Sequence, residues 1–373
     1  MEERDMKFRS MENRSTDDRG TDDRSMQDHG MQDHGMDDRG YIRLGHGSGG
    51  KLTHELVTGL FMKHFHNETL HAQGDSAILR GYSGWWAMST DAYVVDPIFF
   101  PGGDIGSLAV SGTVNDLAVS GAEPRELTAA FILEEGFAIA DLERIVISMG
   151  QAARSAGVRI VAGDTKVVHR GKCDKIFITT AGVGWLDDRL AHISGGARVA
   201  PGDRILINGH VGDHGITILG QRESLRFESP IQSDAACLNK LIRQVTDACQ
   251  VHFMRDATRG GLATVLAELA SATDVSLSAE EDAVPVREEV RGICEVFGYD
   301  PLYMANEGKV VLVVPPEETD RALEIMRAHP LGRDAAVIGE VDTRQPGRVV
   351  LQTGIGGRRF LDMLTGEQLP RIC

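Results

Sequence analysis

The sequence of 373 residues lacks a long uninterrupted apolar run, and no two of its cysteines have the spacing of a metal or redox motif. Without such a run we expect no transmembrane helix and no signal-peptide core, which favours a cytoplasmic protein. An odd number of widely separated cysteines predicts reduced thiols rather than a disulfide framework. The cysteines are Cys173, Cys237, Cys249, Cys294 and Cys373.

Positive charge is also scarce, because 39 lysines and arginines stand against 55 aspartates and glutamates, for a net charge of −16. Such an excess of negative charge argues against a nucleic-acid or anionic-membrane partner. It does not exclude a nucleotide, since divalent cations can bridge carboxylates to phosphates. The apolar content of 42% is typical of a globular protein, and the length allows two or three domains.

Residues 1–40 have very few apolar side chains and divide into pentads, two of which read MQDHG. A period of five matches neither a helix nor a strand, and so polar a segment cannot offset its ordering entropy. The methionine and histidine of MQDHG could be metal ligands, but a solvated, disordered extension is the favoured interpretation. The folded protein is expected to begin near Tyr41.

The remaining chain is predicted to form two domains, residues 41–195 and residues 196–353. Helical patterns, the clearest over residues 138–156, are mixed with short strands in an order unlike regular βαβ units. This mixture predicts an α+β fold with helices packed on one face of a sheet. Residues 354–373 are predicted to be a mobile tail, because three glycines among residues 354–357 could form a hinge.

The tail ends in Leu369-Pro370-Arg371-Ile372-Cys373, which puts a thiol on the last residue. Pro370 stiffens the approach to it. Arg371 places a cation near the sulfur and favours the thiolate, whereas the terminal carboxylate opposes it. Taken alone, the segment could equally be a frayed chain end.

Four short motifs place an aspartate beside a turn or at the predicted end of an element. Asp91 and Asp164 each follow an apolar strand, and Asp116 interrupts an apolar helix, where a carboxylate needs a partner. Converging carboxylates repel one another unless divalent cations lie between them, so the motifs predict a magnesium–nucleotide site. Each motif alone could be an Asx turn or a helix cap. The four aspartates are Asp75, Asp91, Asp116 and Asp164.

Further motifs could bind an anion or act in catalysis. Residues 45–51 form a glycine-rich loop that ends in Lys51, although its spacing is not that of a Walker phosphate loop. Arg259 and two glycines precede an apolar helix whose N-terminus could face an anion, while Asp256 could cap that helix. Glu307 precedes an apolar strand and could also lie in an ordinary surface turn. The histidines show no metal spacing.

Seven motifs together resemble the HypE family of hydrogenase maturation proteins, from about Leu44 to Cys373. They are Thr90-Asp91, residues 96–106, residues 112–118, residues 162–168, residues 255–263, Asn306-Glu307-Gly308-Lys309 and the terminal Pro370-Arg371-Ile372-Cys373. The family belongs to the ATP-binding superfamily of aminoimidazole ribonucleotide synthetase. The resemblance implies an N-terminal domain that binds ATP and Mg²⁺, and a homodimer joined through strands of that domain.

The resemblance also implies an activity. A partner carbamoyltransferase, HypF, loads a carbamoyl group onto the terminal cysteine, and ATP drives its dehydration to S-cyanide. The cyanide then becomes an iron ligand of [NiFe]-hydrogenase in a HypC–HypD scaffold complex. Implied catalytic residues are Cys373, Glu307 as base and Lys166. Implied nucleotide-binding residues are Gly49, Gly50, Lys51, Asn115, Gly163, Thr165, Asp213 and Arg259, and implied metal ligands are the four aspartates.

Two alternatives stay open at this point. Selenophosphate synthetase is similar, but its glycine-rich loop carries a reactive cysteine or selenocysteine, which residues 48–51 lack. The chain could also be a passive carrier that presents Cys373 without catalysis. Turnover of ATP by carbamoylated protein distinguishes a carrier from an enzyme.

Overall fold

The computed structural model of the protein describes residues 40–48, 50–71, 77, 79, 83–222, 230–365, 369 and 371–373. The predictions for residues 1–39, Gly49 and Asp75 lie outside the described residues. The helices are α1 (Lys51–Leu56), α2 (Met62–Phe65), α3 (Glu68–His71), α4 (Ile105–Val119), α5 (Ile139–Ala156), α6 (Asp213–Gln221), α7 (Asn239–Ala248), α8 (Gly261–Thr273), α9 (Glu288–Phe297) and α10 (Thr319–Ala328). The strands are β1 (Trp85–Tyr93), β2 (Phe99–Phe100), β3 (Gly103–Asp104), β4 (Ala122–Glu134), β5 (Arg159–Val168), β6 (Ile176–Leu186), β7 (Arg204–Ile207), β8 (Phe253–Asp256), β9 (Ser276–Glu280), β10 (Val310–Val314), β11 (Ala336–Asp342), β12 (Val349–Gln352) and β13 (Arg358–Leu361).

The first large sheet has four strands in the order β1-β6-β4-β5. Strand β4 pairs antiparallel with β6 and parallel with β5. Along β4, Leu127, Ala129, Phe131 and Leu133 are buried, whereas the residues between them face outward. Helices α4 and α5 cover the inner face of this sheet. The predicted α+β arrangement with helices on one face therefore holds for this sheet.

Helix α4 begins at Asp104, whose Oδ1 accepts hydrogen bonds from the N–H groups of Gly106 (2.7 Å) and Ser107 (3.0 Å). This N-cap satisfies two of the donors that a helix start leaves free. Nearly every residue of α4 is buried, because the helix lies between the first sheet and the elements α7 and β8. An apolar helix that still contains Asp116 therefore runs along the junction of the two halves of the protein.

The second large sheet has seven strands in the order β13-β12-β9-β11-β7-β10-β8. Strand β10 is buried at every residue. Val311 and Val313 pack in one core with α8, whereas Leu312 and Val314 pack in another with α7 and α10. The α+β class is confirmed. The prediction that helices pack on one face only was wrong for this sheet, because a strand that is apolar on both faces must be covered on both faces.

The predicted glycine hinge of the tail was also wrong. Residues 354–357 form the turn between β12 and β13, in which the Thr353 N–H donates to the Gly357 carbonyl at 2.9 Å. Strand β13 belongs to the sheet, so the chain leaves it only after Leu361. Among the described residues, no helix is long and apolar enough to cross a membrane.

Candidate active site

The thiol of Cys373 lies beside the carboxyl group of Glu307, near enough for each group to shift the pKa of the other. Burial and the negative charge of Glu307 raise the pKa of the Cys373 thiol well above its usual range, and the positive charge of Arg259 opposes this shift. The docked thiol is therefore neutral at physiological pH. The expectation that Arg371 favours the thiolate was wrong, because its guanidinium pairs with Asp174 at 2.5 Å.

Three carboxylates from different elements lie around this pair. Asp91 is in β1, Asp116 is in α4 and Asp256 ends β8. Burial, followed by the charge of Asp116, raises the pKa of Asp256 to about 7. Burial also raises the pKa of Asp116, although Ser89 donates a hydrogen bond to its Oδ2 at 2.6 Å. Burial is the larger cause of both shifts, and repulsion between the neighbouring carboxylates adds to it.

The backbone of Glu307 is hydrogen-bonded to a buried ion pair between Asp234 and Lys309. The Oδ1 of Asp234 accepts from the Glu307 N–H at 3.0 Å, and its Oδ2 accepts from Lys309 Nζ at 2.8 Å. Burial raises the pKa of Glu307 well above its usual range, and the charges of Asp234, Asp256 and Asp91 add to the shift. Its Oε1 has no hydrogen-bond partner among the described atoms. Such a carboxyl group is a stronger base than an exposed one and has a free acceptor oxygen.

Asn115 lies in this region with both ends of its amide group hydrogen-bonded to the backbone. Its Nδ2 donates to the carbonyl groups of Ala236 (3.0 Å) and Glu307 (3.3 Å), and its Oδ1 accepts from the Leu238 N–H (2.8 Å). All three contacts are intramolecular. The side chain thus ties α4 to the Glu307 loop instead of standing open for a nucleotide.

Asp164 was predicted to meet Asp91, but the two lie on opposite faces of the first sheet. Both are inside strands rather than at strand ends. Asp91 pairs with Thr180, and Thr180 pairs with Ala129, whereas Asp164 pairs with the next residue of β4, Ala130. Three strand spacings of about 4.8 Å separate β1 from β5, so roughly 14 Å lies between them. Of the predicted metal ligands that the structure describes, Asp91 and Asp116 therefore lie near each other, whereas Asp164 lies apart from them within one chain. Among the described residues, no group of three or more His, Cys, Asp or Glu could hold a metal ion.

The outer face of β5 and the glycine-rich loop form a second polar group. Lys166 Nζ contacts Asp164 Oδ1 at 3.3 Å, and both side chains are exposed. A Cβ on Gly47 would lie 2.4 Å from the Val167 nitrogen, so only glycine lets the loop pack against β5. Gly50 is the N-cap residue of α1, and Lys51 pairs with Glu55 at 3.6 Å.

The other predicted ligands are dispersed. In β5, Thr165 is buried on the inner face and Gly163 lies against the Ala129 carbonyl. Asp213 begins α6, where its Oδ2 accepts from Arg287 Nε at 3.1 Å. It lines a cavity of about 510 Å³ whose lining does not include Cys373. Arg259 is exposed and lies near enough to Cys373 to affect its pKa.

Comparison with known proteins agrees with the division of the chain into two halves. Residues 73–186 match the family of the AIR synthase related protein N-terminal domain, and residues 200–352 match that of the C-terminal domain. Carbamoyl dehydratase HypE of Azotobacter vinelandii is 52% identical over 333 residues, which are 89% of this chain and 97% of that protein. HypE of Escherichia coli K12 is 47% identical over 338 residues, or 89% and 99% of the two chains. The chain belongs to the HypE family.

Solved structures support the same assignment. A HypE structure in complex with ATP is 52% identical with a TM-score of 0.85, covering 88% of this chain and 99% of that one. HypE in a HypE–HypF complex is 46% identical with a TM-score of 0.70, covering 83% and 99%. Thiamine monophosphate kinase from Aquifex aeolicus, at 18% identity and a TM-score of 0.53, shares the fold.

Sequence reasoning missed two of the acidic residues beside the reacting pair. Asp256 was interpreted as a possible cap of α8, but the N-cap of that helix is Gly260 in the left-handed region, without a side-chain cap bond. The signal that could have found it was its place in a second motif rich in Arg, Asp and Gly. Asp234 lies in the irregular segment before α7, where no local pattern marks a partner 75 residues away.

Proposed function

We propose that this HypE-family chain uses ATP to dehydrate a carbamoyl group on the sulfur of Cys373, producing S-cyanide for the iron of [NiFe]-hydrogenase. The observation that carries the proposal is the contact between a terminal thiol and a buried glutamate with raised pKa, at the centre of an acidic cluster. A passive carrier needs no base beside its thiol. The names of the curated relatives, carbamoyl dehydratase, agree with this chemistry.

The reaction removes one oxygen and two protons from the S-carboxamide. Transfer of the γ-phosphoryl group of ATP to the amide oxygen turns that oxygen into a phosphate leaving group. Loss of both nitrogen protons and departure of phosphate then leaves the C≡N group on sulfur, with ADP and phosphate as products. Glu307 is the proposed base for a nitrogen proton, because it already contacts the atom to which the group is attached.

The acidic cluster fits a magnesium ion that is shared with the phosphates of ATP. Asp91, Asp116 and Asp256 are hard oxygen donors whose mutual repulsion a divalent cation would relieve. One or two carboxylates are enough when phosphates supply the remaining ligands, so three assembled protein ligands are not required. Bound Mg²⁺ supplies charge neutralisation on the phosphates. Asp164 and Asp75 remain proposed ligands of magnesium bound to the same nucleotide.

Lys166 is proposed to stabilise negative charge on the phosphates or the departing oxygen. Within one chain, Lys166 lies on the opposite face of the first sheet from Asp91, and its strand β5 is at the opposite edge from β1. The proposal therefore requires the nucleotide to bridge the two faces at the sheet edge, or a second copy to bring its β5 to this site. The glycine-rich loop packed against β5 would bind phosphates through its N–H groups.

The outer face of the first sheet is the proposed homodimer surface. It carries exposed apolar side chains on β1 and β4, among them Trp86 (40% exposed), Met88 (76%) and Ile132 (42%). No helix described in the structure covers this face, and exposed apolar side chains on an uncovered sheet face are typical of an interface. Light scattering should give the mass of a dimer for wild type and that of a monomer for Met88→Asp.

HypF is the proposed donor of the carbamoyl group, since a HypE–HypF complex exists for a relative. A HypC–HypD complex is the proposed acceptor of the cyanide. The decisive experiment is intact mass spectrometry of the carbamoylated protein before and after ATP. The mass should fall by one water while ATP is consumed. An unchanged mass with ATP present would leave Cys373 as a carrier only.

A further inference from the structure

A buried histidine that the proposed chemistry does not use contacts the tail one residue before the reactive cysteine. His214 lies in α6 and is fully buried. Its Nε2 is 2.8 Å from the carbonyl oxygen of Ile372. A carbonyl group can only accept, so Nε2 carries the proton and donates it.

The ring of His214 is fixed on its other side as well. Nδ1 is 2.8 Å from Ser233 Oγ, and because Nε2 holds the proton of the neutral ring, Nδ1 accepts from this hydroxyl. Ser233 is itself anchored, since its N–H donates to the Pro101 carbonyl at 2.9 Å. The ring of Phe100 meets the imidazole edge to face at 5.6 Å. The imidazole is therefore preorganised for the Ile372 carbonyl group.

The polar contacts of Arg371, in contrast, are exposed. Arg371 pairs with Asp174 at 2.5 Å, but both side chains are about half exposed. Its carbonyl group accepts from the Asp96 N–H at 3.2 Å. Exposed ion pairs contribute little to stability, whereas breaking a buried hydrogen bond leaves an unsatisfied polar group. The His214 contact should therefore contribute more to tail docking than the contacts of Arg371.

We propose that His214 is a positioning residue, which holds the Ile372 carbonyl group and thereby keeps the Cys373 sulfur beside Glu307. The tail must also leave this place, because a buried thiol cannot receive a carbamoyl group from another protein. One buried hydrogen bond close to the sulfur suits a contact that is made and broken in every cycle. The catalytic consequence rests on the proposed function, but the docking itself does not.

The test compares two substitutions that differ in the length of the side chain. Gln places an N–H at about the position of Nε2, whereas Asn reaches only to about Nδ1. In full-length His214→Asn, alkylation of Cys373 by iodoacetamide, followed on the C-terminal peptide by mass spectrometry, should be about tenfold faster than in wild type. His214→Gln should restore most of the protection. Asp174→Ala, the control for the exposed ion pair, should change the rate less than twofold.

Wild-type alkylation in a folded His214→Asn protein, or no recovery in His214→Gln, would overturn the proposal. If neither variant folds, Ser233→Ala keeps the imidazole but removes its anchor, and it must also speed alkylation. An unchanged rate in Ser233→Ala would then refute the assignment.

A second readout separates positioning from general damage. His214→Asn should accept the carbamoyl group from HypF at least as fast as wild type, yet form S-cyanide about tenfold more slowly, with Gln again restoring the rate. Equal loss of both steps would indicate a structural role only and overturn the proposal. If wild-type protein forms no S-cyanide, the proposed function has failed, and alkylation alone still decides whether His214 docks the tail.

Discussion

Replacing Glu307 with Gln tests the proposed base with little change in shape. Gln keeps the size and hydrogen-bonding capacity of the side chain but cannot accept a proton. A general base contributes about 10²–10⁴-fold in rate, which is about 2.7–5.4 kcal/mol of barrier. We expect Glu307→Gln to bind Mg-ATP normally, to accept the carbamoyl group on Cys373, and to form S-cyanide slower by that factor.

The pH profile supplies an independent check with a defined sign. Glu307 acts as a base only when ionised, and burial raises its pKa well above the usual range for glutamate. Wild-type dehydration should therefore slow as pH falls through this raised pKa, at higher pH than an exposed glutamate would protonate. The same fall should be absent from the residual activity of Glu307→Gln.

Stability should move in the opposite direction from activity. A carboxyl group whose pKa is raised in the folded state favours folding when protonated, and this contribution is lost as pH rises through the folded pKa. Removing the charge also relieves repulsion from Asp234, Asp256 and Asp91. Glu307→Gln should therefore melt no lower than wild type at pH 8.

The assay is cyanide formation by intact mass, with nucleotide affinity by calorimetry and the exposed Glu317→Gln as the matched control. Normal cyanide formation in Glu307→Gln would remove Glu307 from the mechanism. If Glu307→Gln instead lost Mg-ATP affinity, Glu307 would belong to the nucleotide site.

Three further predictions follow from the same region. Asp116→Asn removes a proposed metal ligand and should weaken Mg-ATP binding measured by calorimetry; unchanged affinity would exclude that role. Cys373→Ala should keep the wild-type melting temperature but accept no carbamoyl group, and label on any of the other four cysteines would contradict it. Asp234→Asn breaks the buried pair with Lys309 and should cost about 3–5 kcal/mol in denaturant unfolding. Burial raises the pKa of Asp234, but Lys309 lowers it more, so that the pKa is below its usual value. The stability from this pair is therefore present above the pKa of Asp234 in the unfolded protein and is lost as pH falls through its pKa in the folded protein. An Asp234→Asn variant that unfolds in acid at the same pH as wild type would contradict the role of this ion pair.

Local patterns predicted elements well where one periodicity dominated. The helix expected over residues 138–156 is α5, and the apolar helix expected around Asp116 is α4, with Asp104 as its cap. The 13-residue strand β4 was not predicted at all, although its buried Leu127 and Phe131 alternate with outward residues. Pro124 and the charged residues near its start resemble a loop, and its pairing with two distant strands, β5 and β6, exists only in the folded protein.

The motifs predicted which residues matter better than where they lie. Glu307 and Cys373 meet as the family resemblance implied. Asp91 and Asp164, however, are inside strands and align with consecutive residues of β4, so they lie on opposite faces of the sheet. A one-residue difference in register reverses the face of a strand residue, and sequence patterns fix register only loosely. Predictions of convergence from several loops are therefore weaker than predictions of residue type.

The docked tail also bears on how the reaction is ordered. Burial and the charge of Glu307 keep the Cys373 thiol neutral in this place, and a neutral thiol is a poor nucleophile. Loading of a carbamoyl group therefore requires an undocked tail, where the thiol regains the pKa of an exposed cysteine. Once the sulfur carries the carboxamide, it no longer has to ionise. Glu307, which suppressed the thiolate, then lies as a base beside the nitrogen protons. The site is thus unsuited to the loading step and suited to dehydration, which favours two separate tail positions over a single position that serves both.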